Sequence, residues 1–571
     1  MAQHTGVQVE ELLRGLQARM GSLHTERLSW WQHWVQLAEY ILPRRHTFLT
    51  GADTKKSSKG SAINGKIINS TGTDAARNCA SGIMSGVSSP SRPWFRLTVN
   101  DPDLQGDTDV QTWADEVTKR MLRVMSGSGY YTAKATQYLD LVVFGTAPMI
   151  IYEDPEAVVR FFVPAAGEYY CAADQNFAVG TLGRKFNMTL QQLAAEFGKE
   201  NLPPNVRQRL DNAASPAVLD DSYSVYHLIE PNKDYSSAPL WAGKFGLSRS
   251  FKYREVLWID GETDTALRIG GFHDKPFSCP RWDVQGNDAY GRSPAMDALG
   301  DIKQLQQEEK RKAQALDKMV DPPMVADANM KNEPASLLPG AITYVARLDG
   351  GAGFKPAYQV QMPIGELKQD IEKVEARIRS TFFNDLFMMI SQLQTVRSAT
   401  EIDARREEKL VLLGPVLDRN QQEGLTPDIA RIYKIMSRQG LLPPPPDVMQ
   451  GRPVKIEYIS PLADLQRASA ATAIERLLGF AGTVAAARPE VLDKIDTDAA
   501  IDEMVEILRV PPKLLVAAMK LKAIRDGRNQ QAQQQAQMQV GAEAVGAGKV
   551  LSETDVGGGQ NALSMMLNGG P

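Results

Sequence analysis

Apolar residues recur at helical spacing near the start of the chain: Leu12, Leu16, Met20 and Leu23, then Trp30, Trp34, Ala38 and Ile41. Pro43 stops the pattern. Three of the eight tryptophans crowd into Trp30-Trp31-Gln32-His33-Trp34, which reads as a packed helix face rather than an aromatic binding platform. A polar, lysine-dotted stretch over 50–61 then reads as an exposed loop. Between about 140 and 285 the period shortens. MIIYED and VRFFVP form two short strands around a turn at Asp154-Pro155. SVYHLIEP and FKYREVLWIDGE are strands, the second running into Asp260-Gly261, a hairpin signal. Between them, Thr189 with Gln192 three residues on forms a capping box for a helix. This region is α+β with antiparallel pairing.

Two rods follow. Ser293 caps a helix with Pro294 at its first position, and the helix should run to about Met319, before Asp321-Pro322-Pro323. Its middle, QQEEKRK at 306–312, is polar all round, which predicts a helix held by polar neighbours or bridging solvent, not a core helix. Strand-like AITYVARL and the turn DGGAG lie within 321–362. Leu367, Ile371, Val374, Ile378, Phe382 and Met389 then trace one stripe of a second helix. Each rod has roughly 26 residues, about 39 Å. Together they predict a helical hairpin with a small module at its tip. After the polar loop SQLQTVRS, Ser398 and Glu401 cap another helix, with a kink expected at Gly414-Pro415 and an end at Gly440. VKIEY is a short strand, helices occupy Leu462 to about Arg525, and from Asp526 the chain frays into Gln-, Ala- and Gly-rich low complexity.

The 571 residues correspond to about four domains' worth of chain. Sixty-four basic and 68 acidic residues leave a net charge of −4, which argues against a general DNA-coating protein. Cys79, Cys171 and Cys279 lie far apart, so neither a disulfide framework nor a cysteine zinc site is expected, and a reducing compartment fits. The longest uncharged apolar run, Leu141 to Tyr152, is too short to span a bilayer, and the N-terminus lacks a signal-peptide pattern. GSAINGKI at 60–67 nearly matches a phosphate-binding loop, but Ile67 stands where the magnesium-binding hydroxyl belongs and no apolar strand precedes it. DPDLQG at 101–106 starts like a calcium loop, which Gln105 and Thr112 undo. The six histidines do not cluster in sequence. No catalytic, cofactor-binding or metal residue is therefore assigned. Among the basic clusters, Arg44-Arg45-His46, Lys310-Arg311-Lys312 and Arg405-Arg406, the last two sit among glutamates and read as paired faces rather than nucleic-acid contacts.

Five stretches carry a resemblance: YILPRR; ASGIMSGVSSPSRPWFRL; CAADQNFAVGTLGRKFNMTLQQLAAEFG; KPFSCPRWDVQGNDAYGRSPAMDALGDIKQLQ; and SATEIDARREEKLVLLGPVLDRNQQEGLTPDIARIYKIMSRQGLLPPPP. In order and spacing, over roughly residues 20–460, the chain resembles the portal, or head-to-tail connector, family of short-tailed double-stranded DNA phages. The resemblance implies an α+β, predominantly helical protein of wing, stem, clip and crown, assembled as a twelve-subunit ring around a DNA channel at one capsid vertex. On this chain it implies a wing over 1–292, stem helices over 293–320 and 363–390, and a clip over 321–362. A tunnel loop over 391–398, a kinked wing helix over 399–440, a crown over 441–525 and a tail over 526–571 complete the map. The tunnel loop would present Gln392, Gln394, Thr395 and Arg397 to DNA, and the clip would dock partners around Asn332, Glu333, Tyr344 and Arg347.

The implied partners are further copies of the chain, duplex DNA, the terminase large subunit, tail adaptor proteins, and major capsid and scaffolding proteins, with no membrane and no cofactor. The implied location is the virion portal vertex, after a stage in the host cytoplasm. The resemblance also implies no enzymatic activity, the packaging ATPase being a separate terminase. Twelve copies at −4 would carry about −48, and like charge lets duplex slide rather than stick. A tail hub or head–tail adaptor ring is the alternative, which the matched rods disfavour. A soluble enzyme is a third reading that no motif supports.

Overall fold

The computed structural model describes residues 6–51, 65–101, 107–213, 215–233, 235, 251–320, 324–325, 355–356, 363–391, 413–449, 452–459, 474–484, 488, 496–508, 521–535 and 549–550. The chain divides into two compact units, one of residues 1–95, 117–443 and 458–460, the other of 96–116, 444–457 and 461–571.

In the first unit, α1 (Gly6–Tyr40) joins both apolar stretches in one helix of 35 residues, about 52 Å long. Its first half lays Leu12, Leu13, Leu16, Met20 and Leu23 on a sheet face with Tyr170, Leu228, Val256 and Trp258. Its second half puts Trp34, Leu37 and Ala38 into the central core. Trp34 is fully buried among the rings of Phe144, Tyr169 and Tyr290, so the tryptophan cluster is a packed face. Pro43 both stops α1 and opens α2 (Pro43–Thr50), where its missing N–H costs nothing. Helices α3 (Thr71–Val87) and α4 (Tyr130–Phe144) add to the same core.

The described strands between 149 and 278 pair antiparallel, as their alternation and turn residues require. β1 (Met149–Asp154) and β2 (Val158–Phe162) form a hairpin, and a short strand, Phe277–Ser278, pairs with the other edge of β1. Asp154 holds the tight turn, its carboxylate accepting from the amides of Glu156 and Ala157. Five further strands make one meander: β3 (Tyr169–Ala173), β4 (Val179–Thr189), β5 (Ser222–Pro231), β6 (Tyr253–Ile259) and β7 (Ala266–Phe272). Gly261, at φ +87°, makes the expected turn after β6. The capping box at Leu190–Phe197 is complete, with both reciprocal Thr189–Gln192 hydrogen bonds present.

The first rod, α5 (Pro294–Val320), has 27 residues and begins at the expected cap: Ser293 Oγ accepts from the Met296 amide at 3.1 Å. The expectation that it stands outside the core is corrected. Ala295, Met296, Ala298, Leu299, Ile302 and Leu305 are buried, and no residue of the helix beyond Gln306 is. The second rod, expected as one helix over 363–390, is broken into α6 (Ile364–Thr381) and α7 (Asn384–Ser391) by Phe383 at φ +56°. At the break Phe382 is buried in the core, and Phe383 packs against the same cluster, its ring centroid 6.5 Å from that of Trp282. Residues 413–420 are helical and run into a π-turn at Gln421–Leu425, before α8 (Thr426–Arg438). The kink expected at Gly414-Pro415 turns on residues before 413, which lie outside the described residues.

In the second unit the strands Phe95–Val99 and Val454–Tyr458 pair, which explains why 96–116 groups with C-terminal residues despite lying within 1–292 in sequence. Arg96 donates to Glu457 at 2.8 Å across this pair, and Arg452 to Asp101. Residues 474–484, Thr497–Leu508 and 521–535 are helical. Arg525 ties the helix over 521–535 to Asp498 at 2.7 Å.

Gly145 ends α4 at φ +77°, and a Cβ there would collide with the Gly291 carbonyl that leads into α5. We expect Gly145→Ala to lower unfolding stability by about 3 kcal/mol or more, read as a shift in the denaturation midpoint against wild type. An unchanged midpoint would show that this approach can relax freely.

Candidate functional site

The eight residues singled out from sequence, Gln392, Gln394, Thr395 and Arg397 together with Asn332, Glu333, Tyr344 and Arg347, lie outside the described residues, as do Ser398, Glu401, Arg405 and Arg406. The structure shows the mounts of the two segments that carry them. The segment over 321–362 is entered from α5 and left into α6, and its ends pair as an antiparallel bridge, Met324 with Pro356 and Val325 with Lys355. The segment over 392–412 leaves α7 and returns at 413. Leu386 and Leu413, near its two ends, are buried in the same core cluster.

Both rods are electrically balanced. α5 carries five acidic and five basic side chains, and α6 four of each. Arg377 of α6 reaches Asp301 of α5 at 3.1 Å. Asn69 Nδ2 donates to Glu375 at 2.9 Å and to Glu309 at 3.3 Å, so one amide bridges both rods. Gln306, in the stretch expected to be polar all round, is buried. Its Oε1 accepts from the amides of Ile68 and Asn69, and its Nε2 donates to the Asn69 carbonyl. The polar neighbours that the helix needs are therefore supplied in part by its own chain. Beyond Gln306, Leu316, Met319 and Val320 are exposed.

Two buried ion pairs hold α8 and the π-turn before it. Lys134 Nζ donates to Asp428 Oδ2 at 2.8 Å with both side chains fully buried, and Tyr130 donates to the same oxygen at 3.1 Å. A pair so enclosed specifies one arrangement, since removing either partner leaves an uncompensated charge. Arg281 makes the other pair. Its Nε and Nη2 bind the Glu423 carboxylate at 3.0 and 2.5 Å, while Nη1 and Nη2 also donate to the carbonyls of Asp288 and Phe177. Nothing local in the sequence marks these residues. A lysine inside the stripe of an apolar helix was the available signal at Lys134.

The near-match at Lys66 resolves into an ion pair with Glu39 at 2.5 Å, and residues 60–64 of that motif lie outside the described residues. Within the basic cluster at 44–46, Arg45 pairs with the buried Asp140 at 3.1 Å. Cys171 and Cys279 approach to 3.9 Å as buried free thiols, and burial pushes the Cys171 thiol well up. Among the described residues, no group of His, Cys, Asp and Glu is placed to hold a metal ion, and no helix is long and apolar enough to cross a membrane.

Residues 13–515 match the family model described as bacteriophage head to tail connecting protein. The chain belongs to this family. It is 40% identical over 553 residues to the portal protein of Salmonella phage epsilon15, covering 96% of this chain and 97% of that protein. It is 39% identical over 525 residues to the probable portal protein of Bordetella phage BPP-1, covering 91% and 92%. The resemblance read from sequence thus holds for the family, and the head–tail connecting fold is here a set of packed helices with antiparallel sheets.

Asp140 gives this family member a measurable pH dependence. Burial pushes its carboxyl up to about 6 against the opposing pull of Arg45. The folded state then binds the proton more tightly than the unfolded chain, so stability from this group is present below about pH 4 and is lost as pH rises through 6. We expect Asp140→Asn to gain about 2–3 kcal/mol relative to wild type between pH 4 and pH 7, in denaturant titrations at both values. A constant difference would mean that Arg45 already compensates for the burial.

Proposed function

We propose that the chain is the portal subunit of a tailed phage. Twelve copies close into a ring at one capsid vertex, through which genomic DNA is packaged and later ejected. The observation that carries this reading is the match at 40% identity spanning 97% of a portal protein. An adaptor or tail hub, the alternative, would not be expected to share that length.

The hairpin geometry supports the reading. Wing, stem, clip and crown would fall at 1–292 with 399–440, at 293–320 with 363–390, at 321–362 and at 441–525. The half of the hairpin beyond Gln306 has exposed apolar side chains and charges of both signs, the surface a neighbouring copy would cover. Balanced rods neither grip nor repel a phosphate backbone strongly, which suits a conduit. The segment around Asn332, Glu333, Tyr344 and Arg347 would dock the terminase and then tail adaptors. The capsid and scaffolding proteins would surround the ring. The chain would work without a cofactor or a catalytic site of its own, in the host cytoplasm during assembly and in the virion afterwards.

Native mass measurement of the purified chain should give a closed homo-oligomer many times 62.8 kDa, near twelvefold. A stable monomer at micromolar concentration and physiological salt would overturn the assignment.

The loop over 391–398 tests the channel itself. In a ring, Gln392, Gln394, Thr395 and Arg397 would project toward the axis, where glutamine bonds phosphate without holding it and Arg397 adds a screened attraction. Deleting Gln392 to Thr395 should leave ring assembly unchanged and lower the amount of DNA retained after packaging, measured as genome per filled capsid. Full retention would make the loop an ordinary turn, and failure to form rings would place it in the subunit interface.

A further inference from the structure

The π-turn at Gln421–Leu425 interrupts a helix whose two sides are held very differently. On the C-terminal side, α8 buries Ile429, Ile432, Ile435 and Met436 and is bolted by the Lys134–Asp428 pair. On the N-terminal side, residues 413–420 bury only Leu413 and Asn420; Val416 and Leu417 are half-buried against the core, Arg419 donates to the Trp282 carbonyl at 2.9 Å, and Pro415 and Asp418 are exposed. A π-turn carries one residue too many for regular hydrogen bonding, so it is a weak point unless something outside the helix holds it.

Three features mark this turn as held from outside. Glu423, at its centre, is bound by Arg281 through both carboxylate oxygens, and the Glu423 carbonyl accepts from the Cys279 amide at 3.2 Å. Arg281 is itself fixed by the carbonyls of Asp288 and Phe177, so the post is rigid and the carboxylate is the part that can let go. Glu423 is also the more exposed partner, 14% against 3%. Gly424 allows Asn420 and Pro280 to come close, since a Cβ there would sit 3.0 Å from Asn420 Oδ1.

Asn420 adds the driving term. It occupies the next place in the stripe of Leu413, Val416 and Leu417, is 2% exposed, and neither its Oδ1 nor its Nδ2 has a hydrogen-bond partner. A buried amide with no partner destabilises the state that buries it. The arrangement therefore combines a weak turn, an unfavourable buried side chain, and a buried ion pair at the turn itself, with Arg419 as a second polar tie to the Trp282 carbonyl and to Asp283.

We propose that residues 420–425 form a latched hinge. The Arg281–Glu423 pair holds the helix in the arrangement seen, and its release lets residues 413–420 swing away from α8 and hydrate Asn420. The inference rests on these contacts alone and is independent of ring formation.

Hydrogen exchange on the full-length protein tests it. In Glu423→Gln, amides over 413–425 should exchange about tenfold faster than in wild type, while those over 429–436 are unchanged. Asn420→Leu, which removes the unpartnered amide, should slow exchange over 413–425 and raise the melting temperature. Unchanged exchange over 413–425 in Glu423→Gln, or an equal rise across α8, would reduce the pair to an ordinary structural contact and overturn the proposal. Should Glu423→Gln fail to fold, Asn420→Leu decides by itself: unchanged or faster exchange refutes the hinge.

Discussion

Burial of one half of the α5–α6 hairpin is the constraint on which the rest of the first unit depends. Ile302 packs against Gly72 of α3, where a Cβ would stand 3.0 Å from its terminal methyl. Ile371, Val374 and Ile378 of α6 enter the same cluster. Burying side chains of this size contributes roughly 1.5–3 kcal/mol each. That is enough to hold one end of each rod while the other carries polar residues. Gln306 marks the changeover, because it is the last buried position of α5 and it satisfies the backbone at Ile68 and Asn69 rather than leaving it unpaired.

The polar anchors form a second tier built on that core. Asn69 ties both rods, Lys134 ties α4 to α8, and Arg281 ties three separate segments. Buried ionic contacts of this kind add little net stability, because desolvation offsets attraction. Their effect is on geometry. They fix how the two rods, and α8 with the π-turn before it, sit within the first unit.

Of the candidate site, the sequence marked the segments but not their supports. The two regions carrying Gln392 to Arg397 and Asn332 to Arg347 stood out as polar or strand-like interruptions between long periodic helices. The polar side chains that brace those helices gave no such mark. Gln306 looked like one more residue of a solvated stretch, because its partners are backbone groups 237 and 238 residues away.

Elements governed by neighbours in sequence were determined by the sequence itself. Thr189 and Gln192 cap a helix because their reach spans three residues, Ser293-Pro294 opens α5 for the same reason, and Gly261 turns a hairpin because it alone there accepts positive φ cheaply. The family, too, was legible, in the order and spacing of long stretches. Tertiary structure decided the break at Phe383, the π-turn at 421–425 and the burial of the first half of α5. Each depends on a remote partner: Trp282 for Phe383, Arg281 for Glu423, and α3 for Ile302. Helical periodicity records which face of a helix is apolar, but not where along its length that face meets the body. Only the packed chain fixes that point.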